Sequence, residues 1–201
     1  MPSECNSELR HRLQEITDMP AKNEMSADQL WLEIAGLAST HPHSIQRLPQ
    51  DEAKDYRCYV HAFELGDSRA YKTIAICDAG RSRNVFFAGS EFARFVMERE
   101  ELLEANEGEA RPRDLVIYLD DEGNPKHAGK IASSDKRVKS KWGGGLFLEH
   151  GLWEVPESYG NTVSFYQRIP TTAAEQVFLQ FVKSRDGFEE FVDTYDLKDL
   201  F

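Results

Sequence analysis

The chain has 201 residues, and its 24 Lys and Arg against 35 Asp and Glu give a formal net charge of −11. This charge argues against nucleic-acid binding, because a protein that neutralises phosphates needs a basic surface. No run approaches roughly 18 consecutive apolar residues, so the sequence predicts no membrane span.

Three widely spaced cysteines, Cys5, Cys58 and Cys77, indicate a reduced compartment rather than a disulfide framework. They form no CxxC pair and the histidines show no zinc-type spacing, so we expect neither a metal nor another cofactor. The N-terminal segment lacks the basic stretch and apolar core of a secretory signal. We therefore expect a cytoplasmic protein, with export without a cleaved signal as the open alternative.

Helical periodicity marks the N-terminal part of the chain. Leu9, Leu13 and Ile16 recur at a spacing that places them on one helix face. Residues 26–29 read Ser-Ala-Asp-Gln, which is a capping-box pattern, and a second amphipathic run follows them. The sequence thus predicts two helices and a loop before the main domain.

The middle of the chain opens with an apolar-periodic run at residues 58–65, which predicts a helix that begins near its first residue. Two β-like runs follow at residues 73–77 and 85–88, and Ser90 is placed to cap a further helix. The glutamate-rich segment 98–109 then predicts a surface loop.

Strand patterns characterise the region that follows. β-branched, aromatic or alternating positions predict four strands, at residues 115–119, 127–132, 137–141 and 162–168. Residues 172–175 form another capping box, which opens a helix, and a last short helix ends the sequence.

This order of elements, helices before and after an antiparallel meander, is typical of an α+β protein. We divide the chain into three parts. Residues 1–50 form an N-terminal helical extension, residues 51–170 the core domain, and residues 171–201 C-terminal helices packed on the core.

Cys58 and His127 are the pair with the clearest chemical potential. A thiol is a useful nucleophile only as the thiolate, and a helix N-terminus and a neighbouring imidazole both lower its pKa. Cys58 stands where the predicted helix begins, and His127 stands at the start of a strand after a tight turn. If helix and sheet pack face to face, the imidazole reaches the thiol. The alternative is a buried core thiol and a loop histidine.

The order of these segments resembles the papain-like NlpC/P60 and CHAP superfamily. Residues 114–118 (DLVIY) match a strand that leads through a turn to a catalytic histidine, here in 127–129 (HAG), and 137–141 is the next strand. Residues 140–143 (SKWG) and 155–160 (VPESYG) are similar to a bacterial subgroup near that superfamily. The resemblance implies a papain-like antiparallel sheet with a Cys-bearing helix packed against it, plus flanking helices.

The resemblance also implies site residues. Cys58 is the expected nucleophile and His127 the general base and acid, with a third polar residue on the next strand. By strand register that residue is Ser140 or Lys141, and we take Ser140 because a protonated lysine cannot accept a hydrogen bond from the imidazole.

The residues expected to bind the substrate are Lys141, at the end of the third predicted strand, and Trp142 and His150 beyond it. His150 or Glu149 is also the alternative to Ser140 as the third residue of the site. The glycine-rich segment 142–145 is either a mobile flap over the site or a wide hairpin loop.

A dense basic run interrupts the otherwise acidic sequence at Lys136, Arg137, Lys139 and Lys141. Such a run is usually a solvated strand face. The functional interpretation is a groove for an acidic substrate or partner.

These observations support two main hypotheses. The first is a cysteine hydrolase that cleaves an amide bond in a peptide, an isopeptide or a peptidoglycan stem. The second is a catalytically weak or inactive papain-like module that binds a protein partner or regulates it. The lack of a usual third catalytic residue favours this second hypothesis. An acyltransferase or deamidase with the same Cys-His chemistry is a third. The sequence does not indicate an oligomeric state.

Overall fold

The computed structural model of the protein describes residues 4–19, 25–49, 57–81, 84–99 and 102–201. Seven α-helices lie in these ranges: α1 (Glu4–Asp18), α2 (Ala27–Gly36), α3 (Cys58–Ala62), α4 (Arg69–Ala79), α5 (Ser90–Glu98), α6 (Thr171–Lys183) and α7 (Phe188–Tyr195). Seven strands accompany them: β1 (Gln46–Arg47), β2 (Glu104–Ala105), β3 (Leu115–Leu119), β4 (Pro125–Ile131), β5 (Val138–Lys141), β6 (Phe147–His150) and β7 (Thr162–Tyr166). None of the described helices is long and apolar enough to cross a membrane.

The strands form one antiparallel sheet in the order β1-β6-β5-β4-β3-β7-β2. β3 lies inside it, paired with β4 on one side and β7 on the other. The β3–β4 hairpin closes around Asp120, whose carboxylate accepts the backbone N–H groups of Glu122 and Asn124. This arrangement of helices and antiparallel strands confirms the α+β prediction.

Both faces of the sheet are buried. Leu115 and Ile117 of β3 point to one face, and Val116 and Tyr118 point to the other, which explains why this strand is a continuous apolar run. We call the Ile117 side the front face and the Tyr118 side the back face. Helices α3 to α7 cover the front face, and α1 and α2 cover the back face.

The two N-terminal helices form as their sequence predicts. The buried positions Leu9 and Leu13 of α1 and Ile34 of α2 pack on the back face. At the start of α2, Gln29 N–H donates to Ser26 Oγ at 3.3 Å, and Ser26 N–H donates to Gln29 Oε1 at 2.9 Å. Both halves of the predicted capping box are therefore present.

Arg10 fastens α1 to the loop between β6 and β7. Its side chain is only 4% exposed and donates to the carbonyl oxygens of Val155 at 3.2 Å and Gly160 at 2.5 Å. Longer bonds reach the carbonyl oxygens of Pro156 and Glu157. The guanidinium thus supplies side-chain donors to buried backbone acceptors of this loop.

An aromatic cluster fills the front face. The Phe92 ring of α5 makes edge-to-face contacts with Phe63, Phe178 and Phe181 at centroid distances between 5.1 and 5.7 Å. These contacts join α5 and α6 to the chain that follows α3. They hold the front-face helices against the strands.

The predictions of strands at residues 73–77 and 85–88 were wrong. Residues 73–77 lie within α4, because Ser68 Oγ accepts the N–H of Tyr71 at 2.9 Å and caps that helix. Residues 85–88 form bends, in which Asp78 accepts the N–H of Val85 and of Phe86. A buried carboxylate on α4 thus fixes the segment that looked like a strand.

Other local predictions also need correction. Gly89, not Ser90, is the N-cap of α5, and Pro170 precedes α6, so the predicted side-chain caps at Ser90 and 172–175 do not form. The segment 98–109 is not entirely loop, since β2 within it pairs with β7. Strands β1 and β6 were not predicted.

Replacing Arg10 should measure how strongly α1 is attached. We expect Arg10→Met to lower the free energy of unfolding by about 3 kcal/mol, because several carbonyl oxygens lose their only side-chain donor in a buried setting. Arg12→Met on the same helix is the matched control, since Arg12 is half-exposed and pairs only with Glu15. Urea unfolding of both variants tests this, and equal losses would contradict it.

Candidate functional site

Cys58 lies at the start of α3, against the point where β4 and β5 separate. The ladder between these strands is confined to Lys130 with Lys139 and Ile131 with Val138. Beyond that ladder, the backbone N–H of Ala128 bonds to the Cys58 sulfur instead. The helix therefore brings the thiol to an opened edge of β4.

The surroundings of this thiol do not activate it. Burial raises the pKa of Cys58 to about 11, and this outweighs the backbone N–H bonds from Ala128, Tyr59 and Cys58 itself and the charge of Arg57. Near neutral pH the residue is a protonated thiol.

Strand register places His127 on the back face, whereas Cys58 packs against the front-face cluster. It is in register with Tyr118 of β3, whereas its neighbour Ala128 is in register with Ile117. The His127 ring stacks on Tyr159 with centroids 3.9 Å apart. Within the described chain, no hydrogen bond joins the Cys58 sulfur to the His127 ring, and His127 Nε2 has no hydrogen-bond partner.

Burial also governs the charge of this imidazole. It lowers the pKa of His127 well below the usual value for histidine, and the proximity of His150 and His61 lowers that pKa further. The ring is therefore neutral near pH 7. An imidazolium partner for a thiolate is absent from this arrangement of the described residues.

Ser140 belongs to a different hydrogen-bonded chain on the back face. Because a carbonyl oxygen only accepts, His150 Nδ1 donates to the Gly151 oxygen at 2.8 Å, and neutral His150 Nε2 accepts from Ser140 Oγ at 2.9 Å. Ser140 Oγ in turn accepts from Trp142 Nε1 at 2.9 Å. Ser140 thus orients His150 rather than His127.

Lys141 lies on the opposite face of the sheet from Trp142 and His150, the other two residues predicted to bind the substrate. Ser140 and Lys141 are successive strand residues and point to opposite faces. Lys141 is buried on the front face, with Nζ 4.9 Å from the centroid of the Phe147 ring. The structure therefore divides the six predicted site residues, with Cys58 and Lys141 in front and His127, Ser140, Trp142 and His150 behind.

Tyr159 connects the two groups, and sequence reasoning missed it. Its ring stacks on His127 and meets Trp142 edge-on at 5.7 Å. Burial raises the pKa of Tyr159, and the nearby Cys58 raises that pKa further, while the Gly143 backbone bonds to the hydroxyl. The sequence signal was the YG pair in 155–160, whose tyrosine was not assigned a role.

A cationic pocket opens on the front face around Glu64. Arg113 Nη2 lies 2.8 Å and Lys130 Nζ 3.4 Å from Glu64 Oε1, and Arg168 Nη2 lies 3.0 Å from Glu64 Oε2. The hydroxyl of Thr171 donates to Oε2 at 3.2 Å. These residues line a cavity of about 370 Å³. We call it the Glu64 pocket.

An adjoining cavity extends the Glu64 pocket. It measures about 420 Å³, shares His61, Arg113 and Lys130 with the pocket, and adds Lys139 and Phe147. Its lining also includes the apolar residues Leu48 and Pro49. One continuous groove therefore combines cationic and apolar surface.

The cations that line the groove lower the pKa values of Glu64 and His61. Burial on its own would raise the pKa of Glu64, but the hydrogen bonds from Arg113 and Arg168 and the charge of Lys130 hold that pKa at about 2. Burial and the charge of Lys130 lower the pKa of His61 to about 3. Glu64 is thus a carboxylate, and His61 is neutral near pH 7.

The basic run predicted as one groove is dispersed. Lys139 lines the adjoining cavity, whereas Arg137 pairs with Glu149 at 2.8 Å. Lys136 donates to the carbonyl oxygen of Ala110. The other cations of the groove are Lys130 of β4 and two loop residues, Arg113 and Arg168, which the local charge pattern did not indicate.

The sequence was also compared with known proteins. Residues 48–167 match a family described as a domain of unknown function, DUF7689, and this region is more than half of the chain. Searches of curated proteins and of solved structures gave no match. The matched region contains β2 to β7 and helices α3 to α5, while β1 and the other described helices lie outside it.

The Ser140 chain should contribute to stability. Ser140→Ala leaves the Trp142 indole N–H and His150 Nε2 buried without their shared partner, so we expect a loss of about 2 kcal/mol in the free energy of unfolding. Ser134→Ala, at an exposed position, is the control and should change it little. Urea unfolding provides the comparison, and a neutral Ser140→Ala would contradict the assignment.

The buried imidazoles predict sensitivity to mild acid. His61 and His150 have folded pKa values of about 3 and 4, below the unfolded value of about 6.5. Unfolding therefore takes up protons, and below about pH 6.5 each imidazole removes about 1.4 kcal/mol of stability per pH unit. His150→Gln should reduce this slope between about pH 7 and 5.5, where carboxylates stay ionised. Urea unfolding across pH measures the slope, and an unchanged slope in His150→Gln would contradict this account.

Proposed function

The chain belongs to the DUF7689 family, and from the geometry of the matched region we propose that it is a protein-binding module that does not use Cys58 as a nucleophile. The scaffold retains the segment order that resembles papain-like hydrolases. Its thiol and imidazole serve packing and position rather than catalysis.

The observation that carries this proposal is that, among the described residues, no hydrogen bond joins Cys58 to His127. A thiol base has to share a hydrogen bond with the sulfur, and the described residues provide none between these two groups. The Tyr159 ring covers the imidazole, with its centroid 3.9 Å from that of His127. The one polar group that bonds Cys58 from the strand is the Ala128 backbone N–H.

The protonation state of Cys58 also argues against its use as a nucleophile. With a pKa of about 11, only about one Cys58 side chain in ten thousand is a thiolate near pH 7. Nucleophilic attack depends on the thiolate fraction, so the resting arrangement is poorly suited to cleaving an amide.

A papain-like thiol hydrolase is the second candidate, and one observation favours it. Backbone N–H groups of Ala128 and Tyr59 point at the Cys58 sulfur, and such donors stabilise a thiolate or an oxyanion. In that case Cys58 would attack a peptide, isopeptide or peptidoglycan amide after Tyr159 moves off His127. Acyl transfer or deamidation would use the same pair.

We further propose a cytoplasmic location. Cys58 and Cys77 are both free thiols in the structure, and free thiols persist where the environment is reducing. The partner is then a protein of the same compartment.

Alkylation of Cys58 tests the proposal. Iodoacetamide modification, followed peptide by peptide with mass spectrometry so that Cys5 and Cys77 are scored separately, should give a Cys58 rate that rises with pH without a plateau below about pH 10. The rate should be the same in His127→Ala. The unfolded protein is the control for full reactivity, with a midpoint near about 8.5.

The contrary result is equally specific. A Cys58 rate that reaches its plateau near neutral pH, and loses that plateau in His127→Ala, would establish a thiolate–imidazolium pair. That outcome would replace the binding proposal with the hydrolase.

A further inference from the structure

We propose that the Glu64 pocket binds a carboxylate side chain from an acidic segment of the partner protein, in competition with Glu64. This inference rests on the proposed binding function and names the site and the partner's chemistry. It concerns residues Arg113, Lys130 and Arg168, none of which the sequence pattern singled out.

The contacts of Glu64 show that the pocket accommodates a carboxylate. The two oxygens of Glu64 receive one guanidinium each, from Arg113 at 2.8 Å and Arg168 at 3.0 Å. The Lys130 ammonium and the Thr171 hydroxyl complete the set at 3.4 and 3.2 Å. Four donors arranged around one carboxylate form a recognition site for a second one of the same shape.

The cations of the pocket keep donor capacity for an incoming ligand. The side chains of Arg113 and Arg168 are 56% and 41% exposed, while that of Glu64 is 15% exposed. Each guanidinium has five N–H donors, and each uses one nitrogen on Glu64. Their outer edges therefore face the solvent-filled cavity.

The charge of the pocket favours an anion although the whole chain is acidic. Three cations face two lining carboxylates, Glu64 and Asp67. Lys139 adds a further cation in the adjoining cavity. An acidic segment is repelled by most of a surface with net charge −11 and is attracted at this groove.

Asp114 fixes the two arginine-bearing loops relative to each other. Its carboxylate accepts the backbone N–H of Arg168 at 3.0 Å and that of Arg111 at 2.7 Å, two residues before Arg113. The guanidinium groups are therefore held in place before a ligand arrives. Such preorganisation lowers the entropy lost on binding.

The adjoining cavity indicates the composition of the partner segment. Phe147, Leu48 and Pro49 give it an apolar wall beside Lys139. A segment with an apolar residue close to the bound acidic residue fits both cavities at once. Acidic side chains along a short apolar-containing peptide are thus the expected partner motif.

Backbone geometry supplies a matched pair of test variants. Arg113 and Lys136 both have positive φ, at 78° and 62°, a region that glycine adopts without strain. Arg113→Gly removes a pocket cation, and Lys136→Gly removes a cation that instead bonds the Ala110 carbonyl. Neither change strains the backbone, so a difference in peptide affinity between the two variants is due to the loss of the pocket cation.

Fluorescence anisotropy with a rhodamine-labelled Glu-rich peptide tests the proposal on the full chain. We expect Arg113→Gly to weaken binding about fivefold and Lys136→Gly to leave it unchanged. Glu64→Gln should tighten binding severalfold, because it removes the internal competitor. Affinity should fall as salt rises, and the same peptide with Gln at each Glu should bind far more weakly.

Equal affinities for the Glu and Gln peptides, or equal effects of Arg113→Gly and Lys136→Gly, would overturn the pocket assignment. Thermal unfolding of each variant establishes that it is folded. The alkylation of Cys58 is independent of these measurements. If the Glu64 pocket does not bind the peptide, the proposal of a protein-binding module therefore still stands. A neutral-pH thiolate at Cys58 would instead overturn the proposed function itself.

Discussion

Helices cover the central sheet on both sides, and this double burial sets the role of each residue along the strands. Side chains of a strand alternate between faces. When both faces are buried, neighbours in sequence pack into different clusters of the core. His127 and Ala128 are divided in this way, and so are Ser140 and Lys141.

The division explains how polar groups are accommodated in each interior. On the back face, Trp142, Ser140 and His150 satisfy one another in a directed chain that ends on the Gly151 carbonyl. On the front face, Glu64 gathers cations from segments on three sides. Buried polar groups are stable when their partners are fixed, as those of the back-face chain are, whereas the arginines around Glu64 keep part of their surface exposed.

The N-terminal helices were predictable because their signals are local. The spacing of Leu9 and Leu13 and the capping box at Ser26 need no distant partner. Residues 73–77 have strand propensity, yet the cap at Ser68 and the burial of Ile74 make them helical. Strand β6 depends on β5 and β1 for its pairing, which no local pattern reveals.

The candidate site was predictable in part. The sequence placed Cys58 at a helix start and His127 on a strand, and both positions are confirmed. The face to which His127 points depends on its register with Tyr118, which segment order does not specify. The Glu64 pocket collects Glu64, Arg113 and Arg168 from distant parts of the chain, so only the folded arrangement brings them together.

The family match and the folding unit have different boundaries. The matched residues, 48–167, include every strand except β1, but α1 and α2 before them cover the back face, and α6 after them supplies Phe178 and Phe181 to the front face. Taken alone, the matched region would keep α3 to α5 on the front face but present its apolar back face to water, a surface that promotes self-association. A family member with different flanking segments therefore has to cover the back face with other helices or with a second chain.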